Sequence, residues 1–146
     1  MAQSEELLSR WEEERVPFLF DVLDSLGLPL SDLESGPLVY VAAVEEFLAA
    51  QDYAQMDDDD WVWLHTFLAA FIAQVFMVEH SARWVSVQTG GRTAFHLTLI
   101  DREGAERSFD PHELVYNDFQ KRLPPEVVRM LAAAEAATGV VPVPEP

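Results

Sequence analysis

The sequence contains no cysteine and a single lysine, Lys121. Without thiols there is no disulfide framework, no cysteine nucleophile, no cysteine-ligated zinc site and no iron–sulfur ligand set. Positive charge is also scarce, with nine Lys plus Arg against 26 Asp plus Glu and a formal net charge of −17. A chain so poor in bases has no basic face for a phosphate backbone or an anionic bilayer, which argues against direct binding to nucleic acid or to such a membrane. The first residues lack the basic and then apolar pattern of a secretory signal, because Ser4, Glu5 and Glu6 open an acidic amphipathic stretch. Together with the absence of cysteine, this leads us to expect a cytoplasmic protein.

Several catalytic and cofactor motifs are missing as well. No G-x-S-x-G elbow exposes a serine, and Gly90-Gly91 lacks the frame of a phosphate-binding loop and reads as a hairpin turn. No two of the four histidines, His65, His80, His96 and His112, have the i, i+4 spacing of a zinc-protease helix. We therefore expect no cofactor, no metal and no catalytic residue.

What is present is 146 residues with 49% apolar and 11% aromatic side chains, enough for one packed domain. The pattern predicts a single α+β domain over residues 1–139: a helical N-terminal half, a central apolar helix, a three-stranded antiparallel meander and two C-terminal helices. Residues 140–146, with three prolines, read as a disordered tail. The first helix is expected to start at Ser4 as N-cap and to bury Leu7, Leu8, Trp11, Phe18, Leu19, Val22 and Leu26, with Gly27 as its stop. Pro17 interrupts that pattern, so the segment reads as either two helices or one kinked helix. After a loop to Gly36, Pro37 suits the first turn of a helix running to about Gln51, although the β-branched start Val39-Tyr40-Val41 leaves a strand open.

The run Asp57-Asp58-Asp59-Asp60 then leads into Trp61 to Val78, eighteen residues without a formal charge. At 1.5 Å per residue these span about 27 Å, close to a bilayer core. His65, Thr66 and Gln74 dilute the run and no basic cluster precedes it, so a central helix covered by the rest of the domain is the expected reading. The aspartates at its start suit the positive end of the helix dipole and can cap a free N–H; their spacing does not match an EF-hand. Beyond His80 the period changes to two. Val85 and Val87 alternate with Trp84 and Ser86, and Phe95, Leu97 and Leu99 alternate with His96 and Thr98, around Thr89-Gly90-Gly91-Arg92. A short third strand within Glu106 to Phe109, a helix opened by Asp110-Pro111, and a last helix from Pro124-Pro125-Glu126 to about Ala137 complete the order.

From about Leu68 to Leu131 this order resembles small bacterial α+β domains of unknown function, some of them presumed immunity or accessory proteins. The matching residues are Phe71, Trp84, Asp110-Pro111, Leu114 and Val115. Ala73-Gln74 stands where that pattern has Gly-Glu, and Ser81 where it often has glycine. The resemblance implies the order of elements, and an accessory or immunity-type role.

The charge is concentrated in the first half. Residues 1–73 hold sixteen acids and two bases, net −14, and residues 74–146 hold ten acids and seven bases, net −3. The expectation is a non-enzymatic, acidic protein-binding domain that meets a basic protein surface through Glu12, Glu13, Glu14, Asp57, Asp58, Asp59, Asp60 and Trp61. An aromatic rimmed by carboxylates is a suitable anchor for such a partner. One alternative is a small hydrolase or metal-dependent enzyme using His65, Glu79, His96 or an aspartate of the run; another is a nucleic-acid mimic. A homo-oligomer through an exposed apolar face is compatible with each.

Overall fold

The structure is a computed structural model that describes residues 2–140, with side chains from Glu5 onward. Apolar spacing in the first segment produces one helix, α1 (Ala2–Ser25), which continues through Pro17. Ser4 therefore lies within the helix instead of capping it, and its side chain falls outside the described ones. A 3₁₀ turn at Pro37–Tyr40 leads into α2 (Val41–Ala49), so the β-branched start resolves as a tight turn and then a helix. A second 3₁₀ turn, Tyr53–Gln55, precedes α3 (Asp58–Glu79). The C-terminal half holds β1 (Arg83–Thr89), β2 (Arg92–Ile100), β3 (Glu106–Phe109), α4 (Pro111–Lys121) and α5 (Val127–Thr138). This is an α+β fold with helices on both sides of the strands in the chain order.

The aspartate run sets where α3 begins. Asp57 is the N-cap: Asp60 N–H donates to Asp57 Oδ1 at 2.9 Å, and Asp57 N–H donates to Asp60 Oδ2 at 3.1 Å, a reciprocal capping box. From Leu64 to Phe76 the helix is buried apart from His65 and Thr66, and Phe67, Leu68, Phe71, Ile72 and Val75 are fully enclosed. The elements around it are α1, α4, α5 and the first 3₁₀ turn. By length and composition α3 could cross a bilayer, yet 61% of its most apolar window is buried inside the protein. Gln74, a polar residue of this helix, is 4% exposed and donates from Nε2 to Leu33 O at 2.9 Å, tying the loop before α2 to the core helix.

The strands form one antiparallel sheet in the order β1-β2-β3. Thr89 pairs with Arg92, so Gly90 and Gly91 are the two loop residues, both at positive φ (55° and 79°). That requirement explains the glycine pair, since side chains are strained there. Trp84 pairs with Leu97 and Ser86 with Phe95, which puts Trp84, Phe95, Leu97 and Leu99 on the face that meets the helices. Val85, Val87 and His96 share the other face. The helix α1 packs beside β1, and α5 beside β3. Ser81, in the turn from α3 to β1, adopts φ 55°, a conformation glycine takes at lower cost.

Asp110 caps α4, accepting from His112 N–H at 2.9 Å and Glu113 N–H at 3.4 Å, with Pro111 at the first helical position. The cap of α5 comes from elsewhere in the chain. Glu126 makes no side-chain cap, and Glu45 of α2 instead accepts from Val127 N–H and Val128 N–H. Burial raises the Glu45 carboxyl above its usual range, and these two bonds oppose that shift. Gly139 closes α5, and Val140, the first residue of the expected tail, is buried. Residues 141–146 lie outside the described residues.

Candidate functional site

Where α4 crosses the first turns of α3, the side chains leave an open groove of about 540 Å³. Trp61, Val62, His65 and Thr66 line it from α3, and Asp110, His112, Glu113 and Tyr116 from the start of α4. Helical spacing puts Trp61 and His65 on one face, four residues apart, and the Asp110 cap turns the first residues of α4 toward them. The His65 ring stacks on Phe119 with centroids 4.2 Å apart, beside Trp61 at 5.8 Å and Tyr116 at 6.3 Å, tilted to these two by 44° and 41°. Its Nδ1 lies 2.7 Å from Trp61 O, an acceptor, so Nδ1 carries the proton. Nε2 is enclosed and has no partner among the described residues.

A second aromatic group adjoins this groove through His112. Trp11 of α1 stacks on Phe95 at 4.2 Å, meets Trp84 edge-on at 5.4 Å and approaches His112 at 5.6 Å. The Arg15 guanidinium lies 4.0 Å over the Trp11 ring and donates to Glu14 at 3.2 Å. Burial lowers the His112 imidazole below its ordinary value, with Arg15 and His65 adding to the effect and Asp110 opposing it. Burial likewise lowers His80, which packs against Phe76 at 5.0 Å.

These two shifts give the fold a pH dependence. The unfolded histidines titrate near 6.5 and the folded ones lower, so the unfolded chain binds more protons as pH falls below 6.5. Stability is full above that value and is lost progressively down to the folded pKa values. We expect a lower urea midpoint at pH 5.5 than at 7.5, with the gap narrowed in His112→Phe. An unchanged gap in that variant would clear His112 of the effect. Glu45 acts in the opposite sense, between its raised folded value and 4.5.

On the other side of α3 lies a smaller groove of about 320 Å³, lined by Phe47, Met56, Trp63 and Leu64 with Asp52 and Asp60 among its polar residues. Trp63 is 40% exposed. Trp61, the aromatic singled out from sequence, is half-buried between Tyr53 and Phe119, and Trp63 is the more open of the two. Glu12, Glu13, Glu14 and Asp57 to Asp60 are all exposed. Asp57 and Asp60 are held by their mutual capping bonds, leaving Asp58 and Asp59 outside the box. The two acidic runs adjoin Trp11 and Trp61 in sequence, and the contacts through His112 and the larger groove connect those tryptophans.

Ion pairing differs between the halves. Among the described residues, the pair Arg15–Glu14 is the one that falls within residues 1–73. In the second half Arg107 pairs with Asp101 at 3.0 Å, Arg122 with Glu126 at 3.4 Å, and Arg129 with Asp118 at 2.6 Å. The acids of the first half thus remain largely uncompensated.

The residues of the enzymatic alternative do not converge. His65 lies in the larger groove, Glu79 is exposed at the far end of α3, and His96 sits on the sheet, 3.9 Å from Asp110 Oδ2. Among the described residues no group of three His, Asp or Glu is placed to hold a metal ion. Sequence reasoning did not single out Tyr116, Glu113 or Trp63 as site residues. Helical spacing shows which side of its own helix each occupies, but the grooves arise from neighbours distant in the chain. No family model matches the chain, and comparison with curated proteins and with solved structures finds no match.

Proposed function

We propose that this chain is a non-enzymatic protein-binding domain, of accessory, adaptor or immunity type, whose acidic N-terminal half engages a basic protein surface. The observation that carries this reading is the uncompensated charge: sixteen acids among residues 1–73, with the runs Glu12–Glu14 and Asp57–Asp60 exposed and the arginine pairs of the second half formed within that half. The open Trp63 beside Asp52 and Asp60 supplies an aromatic anchor where an arginine or lysine of the partner would be attracted both to the ring and to the carboxylates. Trp61 contributes from the opposite side of α3.

The test begins with capture of the partner from the native host and measurement of its affinity. Glu12, Glu13 and Glu14→Gln combined with Asp58 and Asp59→Asn removes five charges and leaves the Asp57–Asp60 box intact. This variant is expected to keep the fold and to bind the partner at least about tenfold more weakly at low salt, because charge complementarity acts through long-range attraction. Binding of the unaltered protein is expected to weaken from about 0.1 M to about 1 M salt, as the Debye length falls from about 10 Å to about 3 Å. Affinity that ignores both salt and the five substitutions would overturn the reading. A captured partner that DNA competes away would favour the nucleic-acid mimic instead.

A further inference from the structure

We propose that the groove between α3 and α4 is a binding site for a small organic cation bearing an alkylated ammonium group. Half of its lining residues are rings. Trp61, His65 and Tyr116 succeed one another with centroids about 6 Å apart and planes tilted by 41° to 44°, and His112 lines the same groove from α4. The faces of such rings carry negative potential and attract a cation that has shed water. Among the described residues, Asp110 and Glu113 are the charged ones lining the groove, and no arginine or lysine lines it.

Hydrogen-bonding capacity selects among cations. Asp110 Oδ1 is occupied by two backbone N–H groups while its Oδ2 lies 3.9 Å from His96 Nε2, the Thr66 hydroxyl donates to Val62 O at 2.8 Å, and His65 Nε2 is enclosed. Glu113 is the exposed carboxylate left at the rim. A guanidinium brings five N–H donors and a primary ammonium three, and both hold water that a ring face cannot replace. An alkylated ammonium brings one charge and few or no donors, which matches several ring faces beside the Asp110 and Glu113 carboxylates. A volume of about 540 Å³ lies within the usual range for small-molecule sites, about 300–1,000 Å³, and is larger than an ammonium head alone needs, so the ligand also carries an apolar body. This site takes a free ligand and does not depend on the partner proposed above.

The experiment titrates the isolated protein with phenyltrimethylammonium at fixed ionic strength, followed by calorimetry and ligand-observed NMR. The neutral isostere tert-butylbenzene and the guanidinium analogue benzylguanidine are run in parallel. We expect saturable binding of the quaternary cation and binding at least about tenfold weaker for both analogues, the scale of one cation–π contact. Tyr116→Leu keeps apolar area but removes a ring, and Glu113→Gln removes the rim charge; both positions are exposed, so the fold should persist. Each is expected to weaken binding several-fold with unchanged thermal stability. Equal binding of tert-butylbenzene, absence of cation binding at millimolar concentration, or indifference to both substitutions would overturn the proposal. Tighter capture of a trimethyl-lysine peptide than of any free cation would overturn the small-molecule assignment.

Discussion

Arg129→Met is expected to destabilise the fold by about 3 kcal/mol or more, because it strands a buried carboxylate. Asp118 is 2% exposed and receives a two-pronged contact, Arg129 Nε to Oδ1 at 2.6 Å and Nη2 to Oδ2 at 2.8 Å, together with Glu126 N–H at 3.1 Å. The same guanidinium reaches Glu126 at 3.2 Å and Arg122 O at 3.3 Å, so one side chain closes the corner between α4 and α5. Its hydrogen bond with Asp118 raises the Arg129 pKa further. Removal of one partner leaves the other desolvated and uncompensated, whereas removal of both is far cheaper. Arg129→Met combined with Asp118→Leu should therefore recover much of the loss, and Arg129→Lys should recover only part, since lysine supplies charge without the planar fork. Urea unfolding at pH 7 with a common m-value measures all three. A loss below about 1 kcal/mol in the single variant, or simple additivity in the double, would show that the pair does not act as a unit.

Asp118 was not singled out from the sequence, and the reason is instructive. Helix starts, turns and strand alternation depend on residues within a few positions of one another. The aspartate cap of α3, the Gly90-Gly91 turn and the Asp110-Pro111 start could all be read in that way. Asp118 sits in a mid-helix position whose partner lies eleven residues on, and Glu45 caps a helix that begins 82 residues later. Neither relation has a local signature. The same limit applies to the candidate sites. Exposure of Glu12 to Glu14 and Asp57 to Asp60 follows from composition, but the groove of His65, His112 and Tyr116 exists only because α3 and α4 pack together. Pro17 is a different case. A proline inside a helical pattern admits both a break and a continuous helix, and packing of Trp11 on one side and Leu19, Val22 and Leu23 on the other favours continuity.

That packing makes Trp11 the residue whose loss should most affect the attachment of α1. Trp11→Ala is expected to cost about 3 kcal/mol, the lower end for large aromatics because the side chain is only half-buried. The substitution removes the stack on Phe95, the edge contacts with Trp84 and His112 and the seat of the Arg15 guanidinium, all at once. Trp11→Phe should cost much less, since it keeps an aromatic face for Phe95 and deletes an indole N–H that is enclosed with no partner among the described residues. Amide exchange locates the effect. In Trp11→Ala the first half of α1, ahead of Pro17, should lose protection, and the centre of α3 around Phe71 should keep it, because Leu19, Val22 and Leu23 still anchor the second half. Uniform loss of protection through α3 would mean that α1 and the core unfold as one unit. A loss in Trp11→Phe equal to that in Trp11→Ala would show that the ring stack is not what holds the helix to the sheet.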